Sequence, residues 1–87
     1  MNQSILFPDH QEIDKDKHAV CFHAQQSGAL IVCYVSIDDI RKRQHEALIE
    51  DEAILAAFDQ HRFDFEDLAE EAIEDENFNE QGEIWVR

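Results

Sequence analysis

Residues 18–36 carry the strongest structural signal in the chain, a run rich in Val, Ile, Phe, Tyr and Cys that is interrupted once, by Gln26-Ser27-Gly28. Such a run with a single turn-forming break predicts a β-hairpin. With those three residues as the loop, Val20, Phe22 and Ala24 stand opposite Tyr34, Val32 and Leu30 on one face, and Cys21 faces Cys33 on the other. The first face is the predicted core. The reverse face, with Ala19, His23, Ile31 and Val35, is also largely apolar and needs at least partial cover.

Pro8, Gly28 and Gly82 are the only Pro and Gly residues, and each marks a predicted turn. Ile5-Leu6-Phe7 before Pro8 reads as a short edge strand and residues 9–17 as a loop. At Ser36-Ile37-Asp38-Asp39 a hydroxyl N-cap is followed by first-turn carboxylates, which starts a helix with Ile37 and Ile40 inward. Arg41-Lys42-Arg43 then falls near its C-terminal end, where the helix dipole favours cations, so the triplet reads as helix chemistry rather than a nucleic-acid patch.

Across residues 51–75 the apolar positions Ile54, Leu55, Phe58, Phe65, Leu68, Ala69, Ala72 and Ile73 keep one helical stripe. A straight helix of that length measures about 38 Å, longer than the roughly 30 Å diameter of a globule this size. Two helices meeting near Arg62-Phe63 are therefore predicted, with Asp64 as N-cap and Phe63 stapled onto Leu68. Residues 83–87 form a last strand paired with the hairpin, and Trp85 is expected to be substantially buried. The predicted fold is α+β, a single domain over residues 1–87. Its antiparallel sheet is made of the hairpin, the C-terminal strand and Ile5-Leu6-Phe7, packed on one face by two or three helices.

Charge is distributed unevenly. Residues 1–43 hold six acids against five bases, whereas residues 44–87 hold fifteen acids against Arg62 and Arg87, a net −13 of the total −14. Such a field repels nucleic-acid backbones and anionic lipid, whose binding begins with Lys and Arg neutralising phosphate. Direct nucleic-acid or membrane binding is not expected. Residues 19–37, the longest uncharged stretch, contain His23, Gln25, Gln26, Ser27 and Gly28 and cannot span a bilayer. Met1-Asn2-Gln3-Ser4 has no basic region leading into an apolar one, so no signal peptide is read and a cytoplasmic location is expected. Cys21 and Cys33 are then expected to stay reduced.

Cys21 and Cys33 lack the C-x-x-C spacing of thiol oxidoreductases and read as small buried hydrophobes. Of the five histidines, His18 and His23 differ by an odd number and face opposite sides of a strand. There is no H-E-x-x-H, zinc-type cysteine spacing, EF-hand loop, nucleophile elbow or phosphate-cradling glycine loop. No catalytic, cofactor-binding or metal-binding residue is assigned, and an enzyme is not expected. Asp67, Glu70, Glu71 and Glu74 share the side of their helix away from the apolar stripe, a surface suited to a basic protein partner. The core of so short a chain is thin, so pairing into a homodimer is a second expected association.

Ile5-Leu6-Phe7-Pro8-Asp9, Ala19-Val20-Cys21-Phe22-His23-Ala24, Gly28 and Cys33-Tyr34-Val35-Ser36 resemble the start of the bacterial family named domain of unknown function 1488. Leu55-Ala56-Ala57-Phe58 with Arg62, and Gly82-Glu83-Ile84 at the end, extend the resemblance over nearly the whole chain. It implies an α+β fold in short single-domain proteins and brings no activity, cofactor or catalytic residue. The leading expectation is a non-catalytic interaction or regulatory module whose acidic helices meet a basic surface. Two others stand beside it: a small ligand-binding domain or enzyme with a pocket between sheet and helices, and an acidic mimic of nucleic acid. An apolar patch rimmed by carboxylates would favour the first, a deep pocket holding perturbed polar groups the second.

Overall fold

The structure is a computed structural model and describes residues 5–86. The predicted last residue of the final strand and the N-terminal tetrapeptide read above lie outside the described residues. The elements run β1 (Ile5–Leu6), β2 (Gln11–Asp14), β3 (Ala19–Gln26), β4 (Ala29–Ser36), α1 (Ile37–Gln44), α2 (Asp51–Gln60), α3 (Arg62–Glu74) and β5 (Ile84–Val86). The sheet order is β1-β3-β4-β5, with β2 also paired to β3. All pairings are antiparallel except β4 with β5, which is parallel. Parallel pairing follows from the connection: the three helices carry the chain back across the sheet before β5 begins, as a crossover must.

The hairpin is present, with its register one residue from the predicted one. Gln26 pairs with Ala29, so the loop is the two-residue Ser27-Gly28. Both residues have positive φ, 53° and 83°, the backbone of a type I′ turn, whose twist matches that of the flanking strands. A one-residue shift moves every cross-strand pair. Val20, Phe22 and Ala24 face Val35, Cys33 and Ile31 in the core, and Cys21 faces Tyr34 on the other side. Ile31 and Val35 thus belong to the core face, and the two cysteines lie on opposite faces, both free thiols.

Residues 9–17 are not all loop, because Gln11–Asp14 forms β2. Its polar composition hides it: Gln11 and Ile13 turn toward the helices, while Glu12 and Asp14, paired with Cys21 and Ala19, take the outer side. Helix α1 starts as predicted, with the Asp39 N–H donating to Ser36 Oγ at 3.0 Å and Arg41, Lys42 and Arg43 in the last turn.

The long helical stripe breaks at His61, and the core consequence is visible in the aromatic rings. Phe58 and Phe65 stack at 5.3 Å and 11°, although seven positions along a straight helix separate residues by about 10.5 Å. The break differs from the prediction in detail. Helix α3 begins at Arg62, so Asp64 lies in its first turn instead of capping it, and Phe63 is 83% exposed and staples nothing. Phe63 falls on the side of α3 opposite Phe65, Ala69 and Ile73, whose burial sets the helix orientation.

All three helices pack on one sheet face, where Phe22, Ile40, Phe58, Phe65, Ile84 and Val35 are fully buried. Among the described residues no helix covers the other face. Ala19, Cys21 and Tyr34 form a small cluster there with Val32 and Trp85, and the Trp85 and Tyr34 rings stack at 4.9 Å. Trp85 is only half-buried, contrary to expectation. Parallel pairing with Cys33 and Val35 directs its neighbours Ile84 and Val86 into the core and leaves Trp85 on the open face. Among the described residues no helix is long and apolar enough to cross a membrane.

Candidate functional site

Helix α3 ends in a Schellman motif. Glu76 takes the left-handed position at φ 58°, its N–H donates to the Ile73 carbonyl, and the Asn77 N–H donates to the Ala72 carbonyl. The chain turns away there and is gathered again by Asn79. The Asn79 side-chain oxygen accepts from the Gln81 and Glu83 N–H groups, and its amide donates to the Glu83 carboxylate at 3.0 Å. This loop closes a pocket of about 440 Å³ between α3 and β5. Leu68, Ala72, Trp85 and Val86 supply apolar lining, Phe78 stands 40% exposed beside it, and Glu71, Asp75 and Glu83 bring three carboxylates. Among the described residues none of these three pairs with a basic side chain.

Of the four acids singled out from the sequence, Glu71 lines this pocket, while Asp67 and Glu74 are exposed on the outward side of α3 and Glu70 is half-buried. They share a helix but not a site. The residues that complete the pocket with Glu71 are Asp75, one turn further on, and Glu83, brought from across the loop by Asn79. The spacing of Glu71 and Asp75 was readable at i, i+4, whereas the position of Glu83 depends on β5 pairing.

A second constellation lies on the sheet face away from the helices. The β1 pairing of Leu6 with Gln25 is offset by two residues from the β2 pairing of Gln11 with Phe22. Residues 7–10 therefore bulge opposite His23 and Ala24, with Pro8, which has no N–H for a ladder, inside the bulge. The His10 N–H donates to the Pro8 carbonyl at 2.8 Å, and the His10 ring stacks on His23 at 4.3 Å and 13°. Cys21, two residues before His23 on the same face, completes a trio whose nitrogen and sulfur ligand atoms lie within 4.8 Å of one another. Burial, then the neighbouring His10, hold the His23 imidazole below the usual histidine range, with Glu12 opposing. Burial, then Glu12, Asp14 and Glu83, push the Cys21 thiol up to about 11. Reading residues 9–17 as loop is what concealed His10, because no strand then placed it beside His23.

Cys33, on the core side, is pushed up to about 12, chiefly by burial and then by Cys21. A thiol that holds its proton more tightly when folded adds stability that is complete below the ordinary value of 9.0 and is lost as pH rises through about 12. At pH 8 this shift lowers the thiolate fraction by about a thousandfold, and the thiolate is the form that alkylates. Native Cys33 is therefore expected to resist iodoacetamide at pH 8 while the urea-unfolded chain reacts quickly. Peptide mass mapping after timed quenching measures both rates, and equal rates would contradict the burial.

The sequence matches along residues 5–86 the family described as "Protein of unknown function (DUF1488)". The chain belongs to the DUF1488 family. It is 38% identical over 86 residues to the uncharacterized protein YrdB of Escherichia coli K12, covering 99% of both chains, and 37% identical to YrdB of Shigella flexneri over the same shares. A crystal structure of a DUF1488 protein of unknown function from Shewanella loihica PV-4 superposes with a TM-score of 0.95 at 41% identity, over 99% of this chain and 94% of that one. The Shewanella DUF1488 structure shares the fold described above, and the names that these relatives carry assign no activity.

Proposed function

We propose that this DUF1488 protein is a non-catalytic interaction module that receives a basic partner segment in the pocket between α3 and β5, with a cytoplasmic location. The observation that carries the reading is the pairing of an apolar lining, Leu68, Ala72, Trp85 and Val86, with three carboxylates, Glu71, Asp75 and Glu83. A Lys or Arg side chain matches both parts, burying its methylene stem along apolar surface while the charged head meets the acids. The aromatic faces of Trp85 and Phe78 add cation–π attraction of about 0.5–1 kcal/mol at a site this exposed. The net −13 of residues 44–87 steers a cationic segment toward this side of the molecule and makes the association salt-dependent.

Titration of ¹⁵N-labelled protein with hexa-arginine, and with hexa-glutamate as control, tests the reading. Hexa-arginine is expected to shift amides clustered at residues 68–86 at low salt, with affinity falling about tenfold or more in the Glu71→Gln/Asp75→Asn/Glu83→Gln variant. Shifts spread evenly over Glu46, Glu52, Asp59 and Asp67 would show diffuse charge attraction and reject the pocket, as would an unchanged affinity in the variant.

A further inference from the structure

We propose that His10, Cys21 and His23 form a three-ligand binding site for a divalent transition metal of the zinc type on the open sheet face, with the fourth position left to water. The site is independent of the α3–β5 pocket. Two features of the backbone bring the donors together. On β3, Cys21 and His23 are two residues apart and therefore project to the same side. On the neighbouring edge, the two-residue bulge ending at His10 delivers that ring over His23, and Glu12, paired with Cys21, follows on the same side with its Oε1 3.6 Å from His10 Nε2. Arg62 fixes the bulge from the helix layer, donating to the Pro8 carbonyl at 2.8 Å and to Gln11 Oε1 at 2.7 Å.

The donor set selects the ion. Two imidazoles and a thiolate suit zinc, cobalt(II) and their neighbours, and the sulfur disfavours magnesium and calcium, which take oxygen. Bond lengths of about 2.0–2.1 Å to nitrogen and 2.3 Å to sulfur place tetrahedral ligand atoms about 3.3–3.6 Å apart. The trio, already within 4.8 Å, must close by roughly one ångström. An imidazole lone pair lies in the plane of its ring, and the two rings are nearly parallel at 13°, so closure on one ion turns His10 out of the stack, a movement open to a half-buried side chain at the sheet edge. Binding converts the Cys21 thiol to thiolate and releases its proton to solvent. The bound ion ties β2 to β3 beside the bulge, where Pro8 interrupts the ladder.

Cobalt(II) titration of the full chain under a phosphine reductant provides the test. The expected result is one equivalent bound, with a sulfur-to-cobalt charge-transfer band in the near ultraviolet, tetrahedral d–d bands in the visible, and loss of both on adding zinc. Cys21→Ser is expected to abolish the charge-transfer band, and His10→Gln and His23→Gln each to weaken binding by at least about tenfold, while His45→Gln leaves it unchanged. Zinc added to the unsubstituted protein should shift the ring-nitrogen resonances of His10 and His23, a readout that needs no variant to fold. No charge-transfer band at millimolar cobalt, a band that survives Cys21→Ser, or ring shifts confined to other histidines would each overturn the assignment.

Discussion

A chain truncated after Gly82 is expected not to fold. Ile84 and Val86 are 0% and 2% exposed and sit among Cys33 and Val35 of β4 and the apolar side of α3. Burying two such side chains contributes about 3–6 kcal/mol, and the half-buried Trp85 on Tyr34 adds to it. A domain of this length has a total stability of about 4–13 kcal/mol. The loss also uncovers Ile73 and Ala69 on α3, which share that core. Far-ultraviolet circular dichroism and thermal melting measure the outcome, and a truncated chain melting within a few degrees of the intact one would show that β5 is not part of the core. Two point variants locate the effect within the strand. Ile84→Ala is expected to cost about 2–5 kcal/mol as a cavity in the core, whereas Trp85→Ala, on the open face, should cost less. The reverse order would mean that the strand presents its other side.

The importance of β5 was visible in the sequence, because three consecutive apolar residues in a short terminal strand need cover. Which of them is covered was not, since orientation depends on a pairing with β4 that no local pattern encodes. The same division runs through the rest of the fold. Ser36 with Asp38 and Asp39 announced α1 through capping chemistry alone, and the stripe from Ile54 to Ile73 oriented α2 and α3. The hairpin was equally plain, yet its register turned on whether Gln26 belongs to the loop. Only the positive φ of both Ser27 and Gly28 decides that. Strand β2 escaped because just two of its four residues face the core and one of those is Gln11.

Site residues were less legible than elements, for a related reason. A helix face is a local property, so Asp67, Glu70, Glu71 and Glu74 could be grouped from spacing. A pocket is not local, and only Glu71 of the four enters it. The partners it meets arrive through tertiary geometry, Glu83 by way of Asn79 and β5. His10 and His23 are a sharper instance. Thirteen positions apart, they stack because a bulge adds two residues to one edge of the sheet, and the bulge is held by a side chain from the helix layer more than fifty positions away.

That side chain, Arg62, is the residue whose replacement should disturb the most distant parts of the molecule together. Its guanidinium donates through Nε to Glu66 Oε2 at 2.7 Å, through Nη1 to Gln11 Oε1 at 2.7 Å and through Nη2 to the Pro8 carbonyl at 2.8 Å, while lying 5.8 Å from the centre of the Phe58 ring. Arg62 and Glu66 side chains are only 12% and 18% exposed, so solvent screens the pair weakly. Arg62→Ala leaves the half-buried Glu66 carboxylate and the Gln11 side-chain oxygen without this donor and removes one of the two N–H donors to the Pro8 carbonyl. Removing one partner of a buried pair costs about 3–5 kcal/mol, and the residual exposure brings the expected loss to about 2–4 kcal/mol. Arg62→Lys should recover less than half of it, because one ammonium on a flexible stem cannot meet three acceptors arranged for a planar fork. Urea denaturation gives both values, and native-state hydrogen exchange locates them: in Arg62→Lys the amides of residues 7–14 should exchange faster while those at the centre of β4 keep their protection. A lysine variant as stable as the parent, with unchanged exchange at the bulge, would show that Arg62 is an ordinary surface cation and that Pro8 and Gln11 hold the sheet edge without it.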